Sequence, residues 1–367
     1  MKRRAFLFSA AAASGSAAQL WTPARPGHSW QFPRDHYSHD GYRTEWWYLT
    51  GILRDQRGHT HGFQFTIFRR GLRPPGQRPA TRSRFVVDDF AMGHFTLTDA
   101  AARRFRYRQE ISRGAFGEAG FGAPGQPRLA WIGKDEIRCE PDGSLTMVSH
   151  PDETSVISLR MTPTGPPVIH GENGDLGVSR KAAGEDNASL YYSLTRMKAA
   201  GTIATDGTVH PVTGQVWLDR EWASNQLAPD QIGWDWFSLS LSDGSDLMLY
   251  RLRTANGTDP FSSGTLVRPG AAPRHLKSGD FAMKPLKTWK SPVTGGAYPM
   301  SWELAVPSAG IELSVQAVFP EQELALQPVS YWEGMVRATG SSGGRGLEGE
   351  GYLEMTGYAA PLQALQR

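Results

Sequence analysis

The sequence predicts an all-β protein of two tandem β-barrel domains, and three observations carry that expectation. Apolar residues recur at every second position in short runs punctuated by Gly, Pro and Asp-Gly turns, with almost no helical periodicity. A hairpin is repeated: the Trp47 arm and the Trp236 arm lie 189 residues apart (236 − 47) in a chain of 367, about half its length, which reads as duplication of one β-domain. Between the copies, Gly214–Trp236 packs four Trp and four acidic residues into 23 positions, a composition suited to the wall of a site where two domains meet. A chain of this length can hold two cores, and a barrel of about eight antiparallel strands has room for one small ligand.

Taken in order, Met1–Ala18 reads as an export signal. Arg3-Arg4 precede Phe6-Leu7 and a short apolar run, and Ser16-Ala17-Ala18 offers a small-residue cleavage site. A twin-arginine signal is expected, with an ordinary secretory signal as the alternative; either makes the mature protein secreted or periplasmic. Residues 28–215 are assigned to the first domain and 216–367 to the second. The first hairpin runs Glu45–Leu53, turns at Arg54–Gly58 and returns over His61–Arg69; its repeat is Trp236–Leu241 and Leu247–Arg251. Further strands are expected at Phe90–Thr98, Arg104–Gln109, Ala130–Cys139, Ser144–Ser149, Ser155–Met161 and Ser189–Arg196, the last turning at Asp206-Gly207 into the strand that ends on Trp217-Leu218-Asp219. Arg268–Lys290 reads as a mixed loop or short helix. Tyr298–Val306 and Ile311–Phe319 pair, and Pro328–Met335 and Gly349–Gly357 close the second domain.

Composition excludes several classes. The formal charge of +3 comes from Lys2, Arg3 and Arg4, so the mature chain is neutral and makes no case for nucleic acid. No apolar run approaches the length of a membrane span. Cys139 is the single cysteine, so no intramolecular disulfide forms. Arg69–Arg84 carries six arginines and no acid; it reads as a solvated loop, with an anion or a membrane surface as the alternative. The Gly171–Gly174 loop lacks the strand–loop–helix setting of a phosphate site. His59 and His61 share a face but have no visible third ligand, so no metal is assigned, and no cofactor motif is present.

Within Gly214–Trp236, alternation places Trp217, Asp219 and Glu221 on one face and Val216 and Leu218 on the other. A carboxylic acid in an apolar pocket keeps its proton near neutral pH, and aromatic faces attract a carbocation. Asp219 beside Trp217, with Tyr192 and Trp236 near, would supply the parts for adding water to a double bond. An ionised Asp219 or Glu221 could instead act as general base in a hydrolysis. The competing structural reading pairs Asp219 with Arg196 or Arg220 and Glu221 with another arginine. Glu45 and Asp235 occupy equivalent places before the two hairpins and are expected to be structural ion-pair partners.

Several motifs together resemble the AttH/CrtC family of secreted lipocalin-like proteins and carotenoid 1,2-hydratases. They are Glu45-Trp46-Trp47-Tyr48, Phe63-Gln64-x-Thr66-x-Phe68-Arg69, Gly93-His94-Phe95, Gly171-x-x-Gly174, Tyr191-Tyr192-Ser193-x-Thr195-Arg196, Gly214-x-x-Trp217-x-Asp219-x-Glu221-Trp222 and Gly233–Phe237. The resemblance implies two lipocalin-like barrels in tandem and a ligand site near their seam. In the hydratase branch an Asp two residues after an aromatic is the proton donor, and Trp217 and Asp219 match that pair. The histidine that branch carries one strand earlier has no counterpart; Tyr191-Tyr192 stand there. The site is thus expected to comprise Asp219, Glu221 and Tyr192 as catalytic groups and Trp47, His94, Tyr191, Arg196, Trp217, Trp222 and Trp236 as ligand wall. The expected ligand is a hydrophobic small molecule or lipid. The expected function is that of a hydratase or hydrolase, with a carrier without chemistry that works with an ABC-type export system as the alternative.

Overall fold

The computed structural model describes residues 21–80, 83, 85–171, 177–184, 187–225 and 227–362. The expected signal segment and most of the Gly171–Gly174 motif lie outside the described residues. Apart from a few single-turn 3-10 segments, such as Arg34–His36 and Pro307–Ala309, the regular structure is β.

The first domain begins with a four-stranded meander: β1 (Thr44–Asp55), β2 (Thr60–Gly71), β3 (Asp89–Asp99) and β4 (Arg104–Ser112). Next come β5 (Ala119–Phe121), β6 (Arg128–Ile132), β7 (Asp135–Cys139), β8 (Leu145–Ser149) and β9 (Ser155–Pro163). The domain ends with short β10 (Val168–Ile169) and β11 (Val178–Arg180) and two long strands, β12 (Ala188–Thr205) and β13 (Thr208–Asn225). Among the described residues these form one antiparallel sheet in the order β4-β3-β2-β1-β13-β12-β9-β8-β7-β6-β5, curled into a nearly closed barrel.

The second domain opens with β14 (Gln231–Leu241), β15 (Asp246–Thr254), β16 (Gly257–Thr258), β17 (Ser263–Val267) and β18 (Arg274–Lys277). It continues through β19 (Ala282–Pro285), β20 (Thr288–Lys290), β21 (Ala297–Pro299), β22 (Ser301–Val306) and β23 (Ile311–Ala317), and closes with β24 (Glu323–Leu324), β25 (Tyr331–Ser342) and β26 (Arg345–Met355). Its main sheet, a half-barrel, runs β18-β17-β15-β14-β26-β25-β23-β22-β19. Each domain thus has a meander whose first strand, β1 or β14, also pairs with the last strand of its own domain, β13 or β26. The repeated hairpin occupies the same place in both sheets. Its ion pair is repeated as well: Glu45 stands opposite Arg69, and Asp235 opposite Arg251.

The strand period of two decides what each residue faces. On β1, Trp47, Leu49 and Leu53 enter the first barrel's core, while Tyr48 and Ile52 point out of it. On β14, Phe237, Leu239 and Leu241 enter the second core, while Trp236 points out. The out-facing sides of β1, β12 and β13 and of β14, β15, β25 and β26 meet each other. Their residues form a third apolar cluster: Tyr48, Ile52, Tyr191, Trp217, Trp236, Met248, Tyr250, Leu252, Met335 and Tyr352. The seam is therefore a buried face of both domains. The barrel interior, expected to be open to a ligand, is lined instead by close-packed Trp47, Phe63, Phe65, Leu218 and Trp222.

Four expectations need correction. The first sheet does not end at residue 215, because β13 runs unbroken to Asn225 between β1 and β12, and the second sheet starts at Gln231. Ala130–Cys139 is two strands, since Gly133 adopts φ +57°, a left-handed turn. Arg268–Lys290 contains β18, β19 and β20, whose runs of three or four residues are too short to show alternation. Tyr298–Val306 divides at Met300 into β21 and β22.

Candidate active site at the domain seam

Three adjacent strands of the first domain build one half of the site. Asp219 lies between β1 and β12, directly opposite Tyr48 on one side and Ser193 on the other. Tyr191, Ser193, Trp217, Asp219 and Glu221 share the out-facing side, as alternation requires. Asp219 is 4% exposed. It accepts hydrogen bonds from the Tyr191 hydroxyl at 2.5 Å, from Trp217 Nε1 at 2.6 Å and from the Ser193 hydroxyl. No arginine or lysine reaches it among the described residues. Burial raises its pKa, to about 7, because the three donors only partly offset desolvation and Glu221 adds repulsion.

The expected arginine partners go elsewhere. Arg196 and Thr195 sit at a bulge in β12, between Leu194 and Met197, which turns both side chains to Asp246 of the second domain at 2.8 and 2.9 Å. Arg220 faces the barrel core, packs on Trp47 at 3.8 Å and pairs with Glu45 at 3.1 Å. Glu221 has a cation, but it is Lys181 at 3.1 Å, with the Ser189 hydroxyl as second donor. Lys181 also lies over the Tyr250 ring at 4.2 Å. Glu45 and Asp235 are structural partners of arginine, as expected; Glu45 binds Arg69 at 2.7 Å and Asp235 binds Arg251 at 2.6 Å.

The second domain supplies the other half. Trp236 Nε1 donates to the Tyr191 hydroxyl at 3.2 Å, so an indole of β14 holds the tyrosine that holds Asp219. The Tyr48 ring meets Trp236 edge-on at 5.2 Å, and its hydroxyl donates to Glu333 Oε1 at 2.9 Å. Glu333 on β25 faces Glu354 on β26 directly, and Trp234 Nε1 donates to Glu354 at 2.8 Å. Burial, then repulsion from Glu354, lifts the pKa of Glu333 well above the ordinary carboxylate range. Beside Trp217 and Tyr352 lies a cavity of about 30 Å³, enough for a water or two. Trp46, Leu227, Trp234, Phe261 and Val318 form the half-buried rim.

Of the expected site residues, Asp219, Glu221, Tyr191, Trp217 and Trp236 come together here. Trp47, Tyr192 and Trp222 do not: all three point into the first barrel, one residue out of phase with the seam. Tyr192 meets His36 Nδ1 at 2.5 Å, and Trp222 stacks on His39 at 3.8 Å. His94 faces out of the barrel but lies with Tyr331 at 2.7 Å and Gln109 at 3.0 Å, in a separate cluster; burial lowers its pKa to about 3.

A histidine reaches Ser193, one of the donors to Asp219, from a segment not expected to carry one. His170, just after β10, contacts the Ser193 hydroxyl at 2.6 Å and Thr265 of the second domain at 2.8 Å. Burial first, and Lys181 second, hold its imidazole neutral. Sequence reasoning also missed Tyr48, Lys181, Glu333 and Glu354. The signal for the two glutamates was available: Trp217-x-Asp219, Tyr331-x-Glu333 and Tyr352-x-Glu354 repeat an aromatic two residues before an acid, with Leu218, Trp332 and Leu353 between them facing the cores. No group of three or more potential metal ligands is present among the described residues.

The sequence model of AttH-like proteins matches residues 23–358, nearly the whole chain. A crystal structure of an AttH-type protein from Nitrosomonas europaea is 32% identical, with a TM-score of 0.81 over 92% of this chain and 99% of that one. Kievitone hydratase from Nectria haematococca shares the fold at 15% identity and a TM-score of 0.69, covering 92% and 98% of the two chains. CghA shares it more loosely, at 12% identity and a TM-score of 0.52, over 92% and 96%. No curated protein sequence matches. The chain belongs to the AttH-like family.

Proposed function

We propose that this AttH-like protein binds a hydrophobic small molecule or lipid at the seam of its two domains and adds water across a double bond of it. Asp219 is the proton donor. The observation that carries this reading is a buried carboxyl group with three hydrogen-bond donors and no cation, whose pKa lies near 7. A salt-bridged aspartate would be a poor acid; one held near neutrality both carries a proton and can release it. In the reaction the Asp219 O–H bond breaks and a C–H bond forms on the alkene, leaving the positive charge on the neighbouring carbon. The donors from Tyr191, Ser193 and Trp217 stabilise the new carboxylate, and the faces of Trp217, Trp236 and Tyr48 stabilise the cation until water adds. The likeness to a hydratase fold is compatible with this chemistry and names no substrate.

The elevated pKa favours the acid over the general base of a hydrolysis. Glu221, neutralised by Lys181, serves to position Tyr191 and Tyr250 through that lysine. The twin-arginine segment supports action outside the cytoplasm. Replacing Arg3 and Arg4 with Lys is expected to leave the protein in the cytoplasmic fraction.

The test incubates the mature protein with an envelope lipid extract of its source organism in ¹⁸O-water and follows the extract by mass spectrometry. A labelled alcohol formed by wild type and suppressed by about 100-fold or more in Asp219→Asn is expected. Recovery of one unchanged compound bound to both proteins would overturn the enzyme reading and leave a carrier.

A further inference from the structure

Hydration needs a proton acceptor as well as a donor, because the water that attacks the cation must lose a proton. Histidine is the commonest acceptor, but His170 is fully enclosed and His94 lies in another cluster. The carboxyl groups of the second domain remain. They are tied to Asp219 by a closed ring of contacts. Asp219 stands beside Tyr48, whose hydroxyl donates to Glu333. Glu333 stands beside Glu354, and Glu354 beside Trp236. Trp236 donates to Tyr191, which donates to Asp219. Directly opposed strand neighbours on one face have Cβ atoms about 5 Å apart, so the ring gathers Asp219, Glu333 and Glu354 into one buried patch at the seam.

Within that ring the two glutamates differ. Glu333 is fully buried, and its Oε2 has no hydrogen-bond partner among the described residues, so it is an unspent polar atom at the seam. Glu354 is half-buried, fixed by Trp234 at the half-buried rim, and burial raises its pKa to about 7. A group that activates water needs some exposure; a group that must keep its proton does not.

We propose that Glu354, from the second domain, is the second proton-transfer residue of the site and accepts the proton of the water that adds to the ligand. This rests on the hydratase reading above. The balance is simple: Asp219 gives a proton to one alkene carbon, the water oxygen bonds to the other, and the Glu354 carboxylate takes the proton released from that oxygen. One water is consumed, and exchange with solvent at the rim returns the proton to Asp219. Glu333, kept neutral beside Glu354, offers an O–H donor from its unpaired oxygen to a polar oxygen on the ligand. The ligand class is thus an unsaturated hydrophobic molecule that also carries a hydroxyl or carbonyl group. Each domain contributes one of the two proton-transfer groups, so neither barrel alone would be active.

The test uses the full-length mature protein and the same lipid extract in ¹⁸O-water, with the rate of label uptake measured from pH 5 to 9. Wild type is expected to give a bell-shaped profile, falling in acid as the glutamate protonates and in alkali as the aspartate ionises; the two steps belong to the interacting pair. Glu354→Gln is expected to slow uptake by about 100-fold and to abolish the fall on the acid side. Glu354→Asp should be slower than wild type yet keep that fall. The shape of the profile does not depend on how much of a variant folds. A bell retained in Glu354→Gln, or uptake within about three-fold of wild type, would overturn the role of Glu354 and leave Asp219 as the donor. No labelled product from wild type would overturn both.

Discussion

Asp219 and Glu221 stand two residues apart on one face of β13, and their partners divide their roles. Glu221 has the ammonium of Lys181 at 3.1 Å; Asp219 has only neutral donors. The consequence for stability can be worked out in sign. An unfolded aspartate titrates near 4, whereas burial raises Asp219 to about 7. The folded state therefore holds the proton more tightly, and the group favours folding least above pH 7, where the proton must be lost. Between pH 4 and 8 the penalty grows to about 4 kcal/mol. Asp219→Asn removes it, so urea unfolding should show the variant gaining on wild type by that order over this range. An unchanged difference would mean that Asp219 titrates normally. The opposite case is Glu45, which burial would raise but which Arg69, His39 and Arg220 hold below the usual carboxylate range. Removing one member of such a buried pair leaves an uncompensated charge, and Arg69→Met should cost about 3–5 kcal/mol at neutral pH.

At the scale of elements, the seam depends on two long strands staying in register. Gly214 on β13 lies opposite Leu53 on β1, and a Cβ there would stand 2.1 Å from the Ile52 carbonyl oxygen. Gly214→Ala should therefore force β1 and β13 apart. It is expected to cost at least about 2 kcal/mol, read as a lower urea midpoint, and to disturb the Tyr48–Asp219 pairing a few residues along. The long alternating strands β1 and β2 were legible in the sequence to within two residues, whereas β12 runs to Thr205 past the expected Arg196 and β14 starts at Gln231, before the expected Trp236. What was hidden was short or irregular. Gly133 breaks one apparent strand because a positive φ is invisible to periodicity, and β18 to β20 are too brief to have a period. The facing of Trp217, Asp219 and Glu221 followed from alternation alone. Tyr192, Trp47 and Trp222 were misassigned because composition marks a strand as aromatic without saying which face each ring takes. The bulge that turns Arg196 to Asp246 changes that phase midway along β12.

At the scale of the whole molecule, two domains press the outer faces of their sheets together and keep the inner faces for their own cores. Glu333 and Glu354 could not be joined to Asp219 from sequence, since over a hundred residues separate them (333 − 219 = 114) and only the docking of the domains closes the gap. Gly62 marks how close that docking is: a Cβ there would meet the Met335 side chain at 2.4 Å and the Tyr352 hydroxyl at 2.5 Å. Gly62→Val should wedge the domains apart, admit water to the seam and return Asp219 toward an ordinary carboxylate pKa. The most direct measurement is the infrared titration of the Asp219 carboxyl band in the intact protein, identified by its disappearance in Asp219→Asn. A midpoint near pH 7, lowered by Gly62→Val, is expected of a proton donor sealed between the domains. A midpoint below about 5, near the range of a free carboxylate, would contradict it and leave Asp219 an ionised strut with no proton to give.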